Sequence, residues 1–294
     1  MAGAPLATLA TILVYGTFFG LTYVLIALGF TLLFGISRVL NLTYGALYMV
    51  TAYLVYYFAA QLGINLGVSV ALAVALTVGL GLASFVLCTR LAPDPMRFLI
   101  VTIFIALLLQ YLFEYYYPVG VELVPGLTPA RDVLIFGVSL SPAYIAAAVV
   151  TVVLFILLWA WIEWTSYGHA VRAAAEDPET AALFGIRVRT VYLVAVAVSS
   201  ALVAIAAVLI VPAQEATPQM WIYPFVIAFV VAVVGGLANF KWTIPAAFLI
   251  SFSQFAVTTL FPSATGAEDI VAFLVAILFI IVLPRGFGGI GHES

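Results

Sequence analysis

Long apolar runs separated by short polar stretches dominate the chain. The runs lie near residues 7–36, 43–60, 67–90, 98–117, 142–162, 190–211, 222–240, 244–261 and 269–284. A helix needs about 20 apolar residues to cross a bilayer, so the first run fits one tilted span or two short ones. At that length per span, the pattern predicts about eight to ten crossings, with nine the simplest count. The fold class we predict is all-α: a polytopic transmembrane helical bundle in one domain over residues 1–294.

Composition supports a membrane protein and excludes several functions. Charged residues make up 7% of the chain and hydrophobic residues 66%, whereas a soluble protein carries about 25% charged residues. No basic run is present, so nucleic acid is not predicted as a partner. The sequence contains no GxxxxGK(S/T), HExxH or GxSxG pattern, the signatures of a phosphate-binding loop, a zinc protease and a serine hydrolase. We therefore predict no catalytic residues, no metal site and no enzyme activity in this chain.

Basic residues predict the orientation of the bundle, because lysine and arginine favour cytoplasmic loops. With alternating crossings, most of them fall on one side: Arg38, Arg90, Arg97, Arg172, Arg187, Arg189, Lys241 and Arg285. Arg131 alone falls on the other side. The N-terminus is therefore predicted outside and the C-terminus in the cytoplasm, with the protein in the plasma (inner) membrane.

The longest extracytoplasmic loop is predicted over residues 118–141. Its second half reads RDVLIFGVSLS, in which β-branched residues surround Gly137. This pattern is typical of a small β-hairpin, and an ordered loop without strands fits it equally well. Both interpretations place the stretch on the outer surface of the membrane.

Two polar interruptions stand between apolar runs. VVGGLANFKWTIP contains Gly235 and Gly236, and ISRVLNLTYGALYMV contains Asn41 and Gly45. Segments interrupted by Gly and Pro can mark discontinuous helices that line a transport pathway. The alternatives are a tight cytoplasmic turn for the first interruption and a helix N-cap at Asn41 for the second. All four residues are candidate pathway residues.

Few polar side chains lie inside the predicted spans. Gln110 and Glu114 are one helical turn apart and share a face, and Gln254 lies in the middle of the eighth run. Polar groups within a membrane usually face protein or a water-filled path, so these three are candidate pathway residues. Hydrogen bonding between helices is the alternative. No charged residue lies clearly at the centre of a span, which favours an energy source in another subunit.

One polar segment, RAAAEDPETAALFGI, has the start and stop signals of a short helix. Asp177 can cap its N-terminus, with Pro178 at the first helical position and the acidic Glu179 in the first turn. Gly185 can end it. The predicted helix, 178–184, has about two turns and is too short to be stable alone. We therefore expect a partner to hold it; the alternative is an amphipathic helix that lies against the membrane surface.

This segment resembles the cytoplasmic loop of branched-chain amino acid ABC transporter permeases, whose pattern is close to GxAxRAxAEDPxxAxLxGI. GLTYVLIALGFTLLFGISRVLNLTYGALYMVTAY, VVAVVGGLANFKWTIPAAFL and LPRGFGG are similar to further motifs of that family, in the same order. In the family this loop carries a coupling helix that sits in a groove of the ATPase subunit. The resemblance implies a cytoplasmic coupling loop at 163–190. Its predicted ATPase-coupling residues are Arg172, Glu176, Asp177, Pro178, Glu179, Leu183, Phe184 and Gly185.

The resemblance implies a permease subunit of an ABC importer that forms the pathway for branched-chain or other hydrophobic amino acids. It implies as partners two ATPase subunits, a second related permease or a second copy of this chain, an extracytoplasmic solute-binding protein and membrane lipid. ATP and Mg²⁺ are expected on the ATPase subunits, with no cofactor in this chain. The alternatives are a family member that carries urea, amides or other small organic solutes, a stand-alone ion-coupled secondary transporter, and a structural subunit without a pathway.

Overall fold

Helices follow all nine apolar runs in the computed structural model, which describes residues 3–92, 94–117, 132–135, 137–210, 216–237, 239–260 and 268–282. Its helices are α1 Gly3–Ser37, α2 Thr43–Tyr56, α3 Leu66–Leu91, α4 Pro95–Tyr116, α5 Pro142–Trp164, α6 Ser166–Glu176, α7 Pro178–Leu183, α8 Val188–Ile210, α9 Ile222–Gly235, α10 Phe240–Leu260 and α11 Glu268–Val282. A short π-helical turn, Tyr57–Gln61, continues α2. The predicted helical bundle is confirmed. Outside the described residues lie 118–131 of the predicted outer loop, including Arg131, and 283–294, including Arg285.

Six of these helices are long and apolar enough to cross a membrane: α1, α3, α4, α5, α8 and α10. α1 is one continuous helix of 35 residues, so the first apolar run forms a single segment. α2, α9 and α11 have only 14, 14 and 15 residues. At about 1.5 Å per residue, the two shortest are about 21 Å long, less than the roughly 30 Å hydrocarbon core. The count of nine crossings therefore stays a prediction.

The bundle is organised around α1, which packs against α5, α8, α9 and α10. Three side-chain hydroxyls donate hydrogen bonds to its backbone carbonyls: Tyr44 to Ile26 (2.6 Å), Ser199 to Gly29 (2.7 Å) and Ser251 to Gly16 (2.9 Å). These donors belong to α2, α8 and α10, so three helices are bound to α1 by polar contacts. Such bonds help select one packing, because apolar side chains gain little by leaving lipid for protein.

The inner and outer helices differ in exposure. α2 is buried along nearly its whole length, whereas α3 exposes Leu72, Leu76 and Leu80. These leucines are spaced four residues apart and therefore lie on one side of the helix. α4 likewise exposes Phe104 and Leu108. The apolar outer faces fit the predicted contact with membrane lipid.

A two-stranded antiparallel hairpin precedes α5, with β1 Val133–Ile135 and β2 Val138–Leu140. Gly137 lies between the strands at φ +82°, a conformation that glycine adopts more readily than other residues. The Tyr15 hydroxyl of α1 donates to the Ser139 carbonyl at 2.7 Å and so holds the hairpin against α1. The hairpin interpretation of this stretch is confirmed.

Candidate coupling site and pathway residues

A sharp elbow joins α5 to α6, the helix that leads into the predicted coupling segment. The Thr165 hydroxyl accepts a hydrogen bond from the Gly168 N–H at 3.0 Å and so caps α6. A side chain on Gly168 would collide with the carbonyl oxygens of Trp161 and Ile162. Gly168 therefore allows α6 to fold closely back onto the last turn of α5.

α7 begins where the sequence predicts, with Pro178 at its first position. The Asp177 carboxylate accepts hydrogen bonds from the Thr180 hydroxyl and from the N–H groups of Thr180 (3.1 Å) and Glu179 (3.0 Å). These bonds, led by that from the hydroxyl, lower the pKa of Asp177. Because the folded pKa is depressed, the stabilisation from this carboxylate is complete at neutral pH. It is lost only as the pH falls through the lowered pKa.

α7 ends at a glycine in the left-handed region. Gly185 has φ +83°. Its N–H donates to the Ala182 carbonyl at 3.0 Å, and the Ile186 N–H donates to the Ala181 carbonyl at 3.1 Å. This is the Schellman arrangement, in which glycine is favoured at the turning residue. The predicted stop at Gly185 is confirmed.

The two sides of α7 differ in exposure. Ala181 is 4% exposed and belongs to the core cluster, so α7 rests on its own protein through a small side chain. Leu183 and Phe184 are 87% and 84% exposed. Glu176 and Glu179 are exposed as well. A protruding leucine–phenylalanine pair beside acidic groups has the character of an interface anchor with a polar rim.

Arg172 differs from the other predicted coupling residues, because its guanidinium is turned toward its own chain. It donates to the Glu163 carboxylate at 2.7 Å and to the Ile162 carbonyl at 3.2 Å. Both charged side chains are half-exposed, and such a pair contributes at most about 1 kcal/mol. The Arg172–Glu163 pair matters mainly for the relative position of the helices, because it joins α6 to the last turn of α5.

The first pair of candidate pathway residues lies on α4. The side-chain carbonyl of Gln110 accepts a hydrogen bond from the Trp221 indole N–H at 2.8 Å, and both side chains are buried. Glu114, one turn further along α4, is half-buried. Gln110 thus joins α4 to the residue that precedes α9, which favours helix–helix hydrogen bonding as its structural role.

Gln254 belongs to a buried polar cluster that joins three helices. The Tyr23 hydroxyl of α1 donates to the side-chain carbonyl of Gln254 on α10 at 2.9 Å. The same hydroxyl lies 2.6 Å from the Tyr223 hydroxyl of α9. Because the cluster lies where α1, α9 and α10 meet, a movement of any one of these helices would change its hydrogen bonds.

Asn41 and Gly45 shape the start of α2. The Asn41 side-chain carbonyl accepts a hydrogen bond from the Thr43 N–H at 3.0 Å, so this buried amide serves the helix start. A Cβ atom on Gly45 would lie 2.8 Å from the Phe225 Cβ and 2.9 Å from the Trp221 ring. Gly45 therefore permits a close approach between α2 and the beginning of α9.

Gly235 is the last residue of α9, and Gly236 begins the turn to α10. Gly235 is buried, and a Cβ atom there would lie 3.0 Å from the Trp242 carbonyl oxygen. Gly236 has φ +89°. The tight-turn interpretation fits this geometry. An open cleft of about 450 Å³ lies beside the turn and extends to α1, α5 and α6, with the exposed Lys241 among its lining residues.

The comparison with protein families matches residues 12–283 to the family described as branched-chain amino acid transport system, permease component. The chain belongs to this family. The match covers every described helix from α2 to α11 and most of α1. The protein is accordingly a multi-pass membrane permease subunit and not a catalytic enzyme.

Curated relatives resemble the permease over nearly their whole length. It is 27% identical to the high-affinity branched-chain amino acid transport system permease protein BraD of Pseudomonas aeruginosa, over 94% of each chain. It is 26% identical to the corresponding protein LivH of Escherichia coli, over 93% of each chain. A probable branched-chain amino acid transport permease protein LivH of Methanocaldococcus jannaschii is 27% identical, over 92% of this chain and 90% of that one. No solved structure matches the chain.

The contacts of this permease include residues that the sequence interpretation missed. Tyr23 and Tyr223 complete the Gln254 cluster, Trp221 pairs with Gln110, and Glu163 pairs with Arg172. A tyrosine or tryptophan within an apolar run carries a polar group that needs a partner when buried. That requirement is the signal that could have drawn attention to them.

We expect the substitution Gln254→Leu to lower the transport rate of the assembled permease about tenfold, because a buried hydrogen bond to Tyr23 is lost. The measurement is solute uptake per assembled complex in proteoliposomes. Gln219→Leu, the same change at an exposed glutamine, is the control and should transport normally. Normal transport by Gln254→Leu would exclude a role of this cluster in the pathway.

Proposed function

We propose that this permease is the membrane subunit of an ABC importer and forms the pathway for branched-chain and related hydrophobic amino acids. Its family and the names of its relatives support the substrate class. The observation that carries the ATP-driven mechanism is α7, a short helix with both ends fixed and with Leu183 and Phe184 exposed. Such a surface suits a helix that inserts into a groove of a separate ATPase.

The proposed assembly has two ATPase subunits, a second related permease or a second copy of this chain, and an extracytoplasmic solute-binding protein. ATP and Mg²⁺ bind to the ATPase subunits. The assembly lies in the inner membrane, with the N-terminus outside and the C-terminus in the cytoplasm. The predicted distribution of lysine and arginine supports this orientation.

In the proposed mechanism, closure of the ATPase dimer on ATP displaces α7. α6 packs against α5, and α7 packs against α8. The Arg172–Glu163 ion pair and the Gly168 elbow keep α6 close to α5. A displacement of α7 therefore tilts α5 and α8, and access to the pathway alternates between the two sides of the membrane.

Reconstitution tests this proposal directly. Proteoliposomes that hold the complete assembly should accumulate radiolabelled leucine when ATP is enclosed with the ATPase, and should not do so with ADP. The permease alone, under a sodium or proton gradient, should give no uptake. Uptake by the permease alone would contradict the ATP-driven mechanism, and ATP-driven uptake of urea without leucine would contradict the substrate class.

A further inference from the structure

Arg38, directly after α1, has an unusual backbone conformation. Its φ is +49°, and among the described residues no other non-glycine residue has a positive φ. Its N–H still donates to the Phe34 carbonyl at 2.8 Å, as the next residue of the helix would. A left-handed arginine is disfavoured, and such conformations persist where the surrounding contacts hold them.

The contacts that hold Arg38 lie at the end of α6. Its guanidinium donates to the carbonyl oxygens of Ala175 at 2.8 Å and Glu176 at 3.1 Å. The last carbonyls of a helix have no partner within the helix, and they form its negative end. Both hydrogen bonds come from the same terminal nitrogen, Nη2, which carries two hydrogens and can donate to both carbonyls. Arg38 therefore caps the end of α6 from a different helix.

The position of this cap places Arg38 next to the coupling segment. Asp177, which follows Glu176, is the residue whose carboxylate fixes the start of α7. α7 is continuous in the chain with α6 on one side and α8 on the other. The Arg38 hydrogen bonds connect the end of α6, two residues before α7, to the end of α1. α2, α8 and α10 are hydrogen-bonded to α1 in turn.

We propose that Arg38 is a positioning residue that transmits the displacement of α7 to α1 during transport. This inference rests on the proposed function, in which α7 is the helix that the ATPase moves. Without the guanidinium, α1 still follows through its packing against α5, α6 and α8, but it is no longer bonded to the end of α6 and so follows less closely. The measurable consequence is a lower number of solute molecules transported for each ATP hydrolysed.

The substitution Arg38→Gly removes the guanidinium and is compatible with φ +49°. We expect the complex to assemble and to hydrolyse ATP, with solute transported per ATP about fivefold lower. This factor corresponds to the loss of one ordinary hydrogen bond, because the Arg38 side chain is exposed to solvent. Arg38→Lys keeps the charge and a terminal nitrogen donor, but on an ammonium that is more strongly hydrated than a guanidinium, and should give an intermediate ratio. Arg97→Ala removes another exposed arginine, 3.6 Å from Asp94, and should leave the ratio unchanged.

The ratio is measured per assembled complex, so a lower yield of folded protein does not change it. An unchanged ratio in Arg38→Gly would overturn the proposal; if that variant does not assemble, an unchanged ratio in Arg38→Lys would overturn it. The paired substitution Leu183→Ala and Phe184→Ala separates the two hypotheses. If it leaves ATPase binding intact, the proposed function of α7 fails. If the paired substitution abolishes ATPase binding while Arg38→Gly transports the normal amount of solute per ATP, only the proposed role of Arg38 is wrong.

Discussion

Replacing Leu183 and Phe184 together by alanine is expected to release the ATPase subunits from the permease and to leave the membrane domain folded. Leu183 is the last residue of α7 and Phe184 follows it, and both side chains are so exposed that their loss removes no internal packing. Burying an apolar side chain of this size contributes about 1.5–3 kcal/mol, so losing two should weaken ATPase binding about a hundredfold or more. The measurement is a titration of the purified permease with the ATPase in detergent.

A second exposed pair provides the control for this variant. Tyr115 and Tyr116 are adjacent on α4, near its predicted outer end, and both are exposed. Tyr115→Ala with Tyr116→Ala should leave ATPase binding unchanged, since the pair is predicted on the opposite side of the membrane. Wild-type affinity of the Leu183→Ala, Phe184→Ala variant would show that the ATPase binds elsewhere on the permease.

The substitution Gly185→Val is expected to leave the permease in the membrane while ATP hydrolysis no longer drives uptake. A β-branched residue at φ +83° costs on the order of 1–3 kcal/mol in backbone strain. The cost falls on the Schellman turn that ends α7, so Phe184 no longer keeps its position relative to α8. Solute uptake and ATP hydrolysis are measured on the same proteoliposomes.

Gly137 is a closely matched control for this substitution. Its φ is +82°, and, as at Gly185, open space surrounds the position where a side chain would stand. Gly137→Val therefore introduces the same strain in the hairpin, on the predicted outer side. Gly137→Val should retain ATP-driven uptake. Gly185→Asn should retain more ATP-driven uptake than Gly185→Val, because asparagine tolerates the left-handed region. Equal uncoupling by the two valine variants would assign the effect to general destabilisation.

Changing Asp177 to lysine tests the other end of α7. The substitution removes the acceptor for the N–H groups of Glu179 and Thr180, so the start of α7 loses its side-chain cap. It also places a positive charge at the positive end of the helix. We expect that ATP hydrolysis no longer drives uptake in this variant, as in Gly185→Val. Asp177→Asn keeps a side-chain acceptor and should show nearly normal ATP-driven uptake. Normal ATP-driven uptake by Asp177→Lys would contradict a role for this cap.

The features that the sequence predicted well depend on neighbouring residues. The helix expected over 178–184 is observed at Pro178–Leu183, because Asp177, Pro178 and Gly185 determine its ends through local hydrogen bonds and backbone conformation. The apolar runs likewise predict helices, because a membrane requires every backbone group to be satisfied within its segment. The approximate positions of the helices and the capping of α7 are therefore readable without knowledge of the tertiary packing.

The contacts between helices could not be predicted in this way. Gln254 is bonded to Tyr23, which is 231 positions away in the chain. Gln110 and Trp221 are 111 positions apart. The position of Arg38 suggested only a cytoplasmic charge, although its guanidinium binds α6. These pairings depend on which helices pack against each other, and the sequence of an apolar run does not indicate which helix will pack against it.

The central position of α1 has a consequence for how the permease is made. α1 is synthesised well before Ser199 and Ser251, whose hydroxyls bind it. The nascent α1 therefore has to remain in lipid with these faces uncovered. It can do so because its internal hydrogen bonds already satisfy its backbone. The native packing becomes complete only after α10 has entered the membrane. A nascent chain that is arrested before Ser251 therefore contains inserted helices but cannot yet transport solute.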